Sequence, residues 1–149
     1  DKYNMVIGEK TAEEIKMEIG SAWIDGESED YEVRGRDLMS GMPKNLTISS
    51  PETVEAFKEN ITTIVESVRH VLEQTPPELS SDIMDKGIIL TGGGSLLHGM
   101  DTLLSKETKI PVSSASSPLS CVAEGTGQAL NELDKISKVL STGDQGILS

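Results

Sequence analysis

Aromatic side chains are nearly missing from these 149 residues: one Phe, one Trp and two Tyr. Any core must therefore be built from Ile, Leu, Val and Met. Cysteine is down to one, Cys121. A lone cysteine excludes an internal disulfide and fits a reducing compartment. Set in the apolar run Leu119-Ser120-Cys121-Val122-Ala123, it reads as a buried, inert thiol rather than a nucleophile. Positive charge is short as well: 13 Lys and Arg against 25 Asp and Glu leave a net charge of −12. That argues against nucleic acid, whose binding rests on Lys and Arg contacts to phosphate. It gives no support for binding anionic lipid, and it favours solubility. No apolar stretch approaches the roughly 20 residues of a membrane span. The two histidines, His70 and His98, have no Cys or second His at ligand spacing, so no metal site is expected. No catalytic residue is expected either. Ser95 has no candidate base nearby, and the glycine required after a nucleophile-elbow serine is not there.

What is present is an α/β pattern. Thr11 to Ile19 reads as a short helix, with Ile15 and Ile19 on one face and Gly20 as its stop. Tyr31 to Arg36 and Asn45 to Ser49 alternate in the strand manner around a Met39–Pro43 turn and should pair as a hairpin. Ser50-Pro51-Glu52 opens a long amphipathic helix, with Ser50 as cap and Phe57, Ile61, Val65, Val68 and Leu72 at helical spacing. Its apolar face is expected to bury against the hairpin, and Pro76-Pro77 stops it. A short helix from Pro77 to Asp85, a strand Ile88–Leu90, a helix Leu96–Ser105, a strand Ile110–Ser113 and a helix from Pro118 to about Leu140 follow. Gly125 and Gly127 read as close-packing or ligand-adjacent points, and residues 142–149 as a frayed tail.

The most informative stretch is Gly87-Ile88-Ile89-Leu90-Thr91-Gly92-Gly93-Gly94-Ser95-Leu96-Leu97. A buried strand runs into three glycines, and a helical pattern opens at once behind them. Glycine lets a flat or anionic ligand approach the backbone, and a helix start presents free N–H groups to it. A nucleotide is the candidate ligand; a tight turn that binds nothing has the same pattern. A P-loop is excluded because no lysine follows Gly94, and a Rossmann fingerprint because the glycines are contiguous.

Longer segments decide more. Glu73-Gln74-Thr75-Pro76-Pro77-Glu78-Leu79, Asp82 to Gly87 and the Thr91–Gly94 turn closely resemble the MreB group of bacterial actins, including its paralogues. So do Tyr3-Asn4, Ile7-Gly8-Glu9 with Thr11 to Lys16, Glu32 to Leu38, and Gly125-Thr126-Gly127. The resemblance runs from Tyr3 to about Leu130. It implies an actin-like ATPase (RNase H-like) fold, of which this chain looks like a C-terminal half. No Asp-x-Gly-x-Thr or Asp-Ile-Gly-Gly-Gly-Thr loop occurs in it. The family's two phosphate loops and its catalytic and metal-side acids lie N-terminal to the region matched.

The resemblance implies two parts: residues 1–19 with 86–140 as an incomplete large subdomain, and residues 20–85 as a small helix-and-hairpin subdomain, with 141–149 a tail. It implies ATP as cofactor, with Mg in the full-length parent and no metal site in this chain. Glu13 and Lys16 would contact adenosine; the plain alternative is a surface ion pair. Gly92, Gly93, Gly94, Ser95 and Leu96 would form a second adenosine-binding segment. The implied function is a cytoplasmic, membrane-associated filament that directs cell shape and cell-wall synthesis. The parent would hydrolyse ATP and this piece would not. Arg34, Arg36 and Asp37, at a strand end, read equally as a filament or subdomain-packing contact and as solvated charge. Partners would be further filament subunits and a RodZ-like membrane protein. Two other readings stand beside this one: a nucleotide-free module that docks such a partner, and a relative of the actin-fold sugar and acetate kinases.

Overall fold

The computed structural model describes residues 2–133, 136 and 137. The expected residues 141–149 tail and the end of the last helix fall outside them. Elements run β1 (Met5–Val6), α1 (Glu9–Ile19), β2 (Asp30–Asp37), β3 (Pro43–Ser49), α2 (Ser50–Gln74), α3 (Pro77–Lys86), β4 (Ile88–Leu90), a 3₁₀ turn (Gly93–Leu96), α4 (Met100–Thr108), β5 (Val112–Ser114) and α5 (Cys121–Asn131).

The hairpin forms as expected: β2 and β3 pair antiparallel, with Val33 opposite Leu46 and Tyr31 opposite Ile48. Period-2 alternation turns Val33 inward, where it is 2% exposed. β1 adds to the outer edge of β2, Met5 opposite Asp37. α1 lays Ile15 and Ile19 on this sheet, packed with Val33, Met5, Ile7, Tyr31, Leu46 and Ile48. Residues 5–19 therefore make their core with the hairpin, not with the glycine-turn segment they were grouped with from the sequence.

A second apolar centre holds Ala22, Ile61, Val65, Met100 and Leu104, with Phe57, Val68, Leu90, Leu97 and Val112 against it. This corrects the expected burial of α2 on the hairpin. The apolar stripe of α2 faces α4 and the parallel pair β4–β5, which matches Ile88 to Val112 and Leu90 to Ser114. The cap of α2 also moves back by one residue, from Ser50 to Ser49. Ser49 donates its N–H to Glu52 Oε2 at 3.0 Å and its hydroxyl at 3.2 Å, the carboxylate half of a capping box. Glu52 also accepts from Lys2 Nζ at 2.5 Å and from the Tyr3 hydroxyl.

Candidate functional site at the glycine turn

Parallel β4 and β5 end side by side, and the Ala115 N–H continues the ladder to Leu90 O at 2.9 Å. In α/β sheets, ligands bind beyond the carboxyl ends of parallel strands, and here that edge is the glycine run. Gly92 takes φ 80°, ψ 172°, a region open in practice to glycine. Its N–H donates to Pro118 O at 2.7 Å, which brings the β5–α5 loop over the turn.

The sequence pattern predicts an α-helix directly behind the glycines. The structure places a single 3₁₀ turn there, and the α-helix starts later, at Met100. The break falls at Gly99. Its φ of +71° is left-handed, and a Cβ there would lie 2.5 Å from Trp23 O. The partial charge of an α-helix N-terminus is thus absent from the turn. What the turn offers instead is backbone. The Ser95 N–H and hydroxyl both return to Gly92 O, at 3.2 and 2.7 Å, and the Leu97 N–H returns to Gly94 O at 3.3 Å. The Gly93 and Gly94 N–H groups have no acceptor among the described residues. Among the described residues, a Cβ on Gly92 or Gly94 would meet nothing within 4 Å, and one on Gly93 would meet Leu119 Cδ2 at 3.6 Å. This is open space over two free donors, room for a flat or anionic group. Leu96 and Leu119 stand exposed on its rim.

On α1, Ile15 and Ile19 face the core, which turns Glu13 and Lys16 outward. The two form an ion pair at 2.6 Å, each side chain about half exposed. Among the described residues, no hydrogen bond or ion pair joins them to Gly92–Leu96. The link is indirect. Behind α1, Ser21 bridges His98 in parallel, and the Ala22 N–H donates to His98 O at 2.7 Å. Lys16 lies in the last turn of α1, whose end at Ile19 and Gly20 leads directly into Ser21. Thr53 locks this junction from α2: its hydroxyl donates within reach of Ile19 O (3.1 Å) and Ser50 O (2.8 Å), and accepts the Ser21 N–H at 3.2 Å. Thr53, Ser21 and the Pro118–Leu119 rim carry no signal in the sequence, because each acts through a contact distant along the chain. Among the described residues nothing lies within 4 Å of a Cβ at Gly125 or Gly127. Among the described residues there is no group of three or more His, Cys, Asp or Glu arranged for a metal, and no helix long and apolar enough to cross a membrane.

A family profile described as "MreB/Mbl protein" matches residues 1–138. The cell shape-determining protein Mbl of Bacillus cereus is 51% identical over 137 residues, 92% of this chain and 41% of that protein. The cell shape-determining protein MreB of Escherichia coli K12 is 53% identical over 132 residues, 89% of this chain and 38% of that protein. The chain thus spans about two fifths of the length of these relatives. The ADP-bound crystal structure of Spiroplasma citri MreB5 superposes with a TM-score of 0.86 at 38% identity, covering 92% of this chain and 42% of that one. Its AMPPNP-bound form gives 0.83, over 95% and 42%. The MamK double helical filament shares the fold at 19% identity and a TM-score of 0.61, over 77% and 35%.

Proposed function

Because this chain belongs to the MreB/Mbl family, we propose that it is part of a nucleotide-binding, self-assembling cell-shape protein whose glycine turn and α1 take the adenosine side of ATP. The fold is actin-like, and the sugar- or acetate-kinase reading has no support beside this membership. The observation that carries the proposal is the open glycine turn at the ends of β4 and β5. Free N–H groups on Gly93 and Gly94 suit an anionic oxygen, and the missing side chains leave room for a ribose. Gly92 sets the turn, Ser95 pins it, and Leu96 offers an apolar edge to a base. Glu13 can accept from ribose hydroxyls, and Lys16, once released from Glu13, can donate to the base. The bound nucleotide would supply a phosphoanhydride whose hydrolysis needs groups this chain lacks; phosphoryl transfer requires metal placement and a positioned water. The chain by itself is therefore inactive, and Mg belongs to the parent's other half.

Support for ATP comes from the ADP- and AMPPNP-bound relatives, and for filaments from MamK. Membrane association and control of wall synthesis belong, in this reading, to the whole protein. The reading keeps two subdomains but moves residues 5–19 to the hairpin part and α2 to the glycine-turn part, following the two apolar centres. A RodZ-like docking partner is a second reading. A groove of about 480 Å³ between α2 and α4 favours it, floored by Ala22, Ile61, Val65 and Leu103. Trp23 lines that groove, its indole N–H buried with no hydrogen-bond partner among the described residues.

The test is an amide-shift titration of the 149-residue chain with ATP. Half a cleft leaves most of a ligand wet, so affinity should be about millimolar, on the order of −4 kcal/mol. Shifts should centre on Gly93, Gly94 and α1. Gly94→Val should remove them with Tm unchanged, since the new side chain meets open space in the protein and only obstructs the ligand. Shifts confined to another surface, or micromolar affinity, would contradict the proposal.

A further inference from the structure

Two helical segments end side by side and in the same way. α1 closes at Gly20 with φ −63°, ψ 125°, and the 3₁₀ turn closes at Leu97 with φ −63°, ψ 124°. The residue after each cap is one half of the parallel bridge, Ser21 with His98. Parallel pairing runs both segments in one direction, so α1 and the glycine turn reach the bridge from the same side. Counted back from the two caps, Lys16 and Gly93 stand at the same step, four residues before. The bridge is thus the apex of a V. Glu13 and Lys16 lie on one arm, and Gly93 to Leu96 on the other.

The apex is also where the chain crosses between the two apolar centres. Ile19 belongs to the hairpin centre and Ala22 to the other. Each arm is therefore seated in a different core, and packing alone does not fix one arm against the other. Thr53 reaches the crossing from α2 and is itself 5% exposed. Its oxygen accepts the Ser21 N–H at 3.2 Å, and its single proton lies within reach of Ile19 O and Ser50 O. The other arm is held by the Ala22 N–H on His98 O and by Gly99 against the Trp23 carbonyl. Thr63, on the same helix, shows the ordinary alternative: it is exposed, and its hydroxyl donates to Glu59 O one turn back at 3.0 Å.

We propose that Thr53 is a positioning residue for the nucleotide: by locking the Ser21–His98 apex it sets the spread between α1 and the glycine turn, so that one adenosine meets both. The inference rests on the adenosine reading above and adds the residue that joins its two halves. Coupling of this kind is reciprocal. A nucleotide that holds the two arms together slows the opening of the apex by the factor with which the lock tightens binding.

Amide-shift titration with ATP and amide exchange, both on the 149-residue chain, test this. Thr53→Val keeps the shape of the side chain and removes its hydroxyl. It should weaken ATP binding about tenfold, lose the shifts at Glu13 and Lys16, and keep those at Gly93 and Gly94. Thr53→Ser should restore both, and Thr63→Val should alter neither. In the unmodified chain, near-saturating ATP should slow exchange of the Ser21 and Ala22 amides about tenfold, a result that needs no variant to fold. A folded Thr53→Val chain that keeps both sets of shifts at unchanged affinity overturns the inference, as do apex amides indifferent to ATP; either leaves the adenosine site standing. An unmodified chain with no shifts at Gly93, Gly94 or α1 overturns the adenosine reading itself.

Discussion

Glu52 holds more of this molecule than its position on the surface suggests. It caps α2 through Ser49 and ties down the N-terminal segment through Lys2 and Tyr3. Those three donors, Lys2 foremost, hold its pKa down to about 2, and Glu52 in turn raises that of Lys2. A carboxyl depressed in the folded state stabilises above its unfolded value, near 4.5, and that contribution fades as pH falls toward 2. Glu52→Gln should therefore lower Tm at pH 7 and make no difference near pH 2; a gap between the two melting curves that persists in acid would refute this. The residues of the glycine turn were legible in the sequence because glycine is informative by itself. Glu13 and Lys16 were legible through the resemblance. Thr53 was not: a threonine at the start of an amphipathic helix looks like any other until its hydroxyl is seen between Ile19 and Ser21.

Among the elements, hairpin and long helix were readable because each follows one period throughout. The segment behind the glycines was not. Its apolar residues Leu96, Leu97, Met100, Leu103 and Leu104 suit one continuous helix, and what divides them is Gly99 pressed against the Trp23 carbonyl. That contact lies 76 positions back along the chain. Gly99→Ala should cost about 1–3 kcal/mol, because a left-handed backbone and a close carbonyl both oppose a Cβ. Urea unfolding would read the loss as a lower midpoint at constant slope. A midpoint that does not move would mean the 3₁₀ turn and α4 can merge without harm. The start of α2 slipped by one residue for a related reason: Ser49 and Ser50 are equal candidates until the Glu52 carboxylate selects Ser49.

At the scale of the whole molecule, two apolar centres meet along α2 and the Gly20–Ala22 junction. Among the described residues β4 pairs on one side only, and Ile89 is 60% exposed. Hydrogen exchange should accordingly find the slow amides in Ile61 to Leu72 and faster ones in Ile88 to Leu90; the reverse order would mean that the short parallel pair, not α2, anchors the second centre. The partner of α2 was not legible, because one amphipathic face fits either neighbour. The layout of the two centres also sets an order of manufacture. The first draws on residues 5 to 48 and is complete in sequence before α2 begins. The second cannot close until Val112 has left the ribosome. During synthesis the growing chain therefore carries a finished hairpin unit on one end of a nascent α2 whose apolar stripe still waits for its cover, and the interval between those two moments is when it depends most on being shielded.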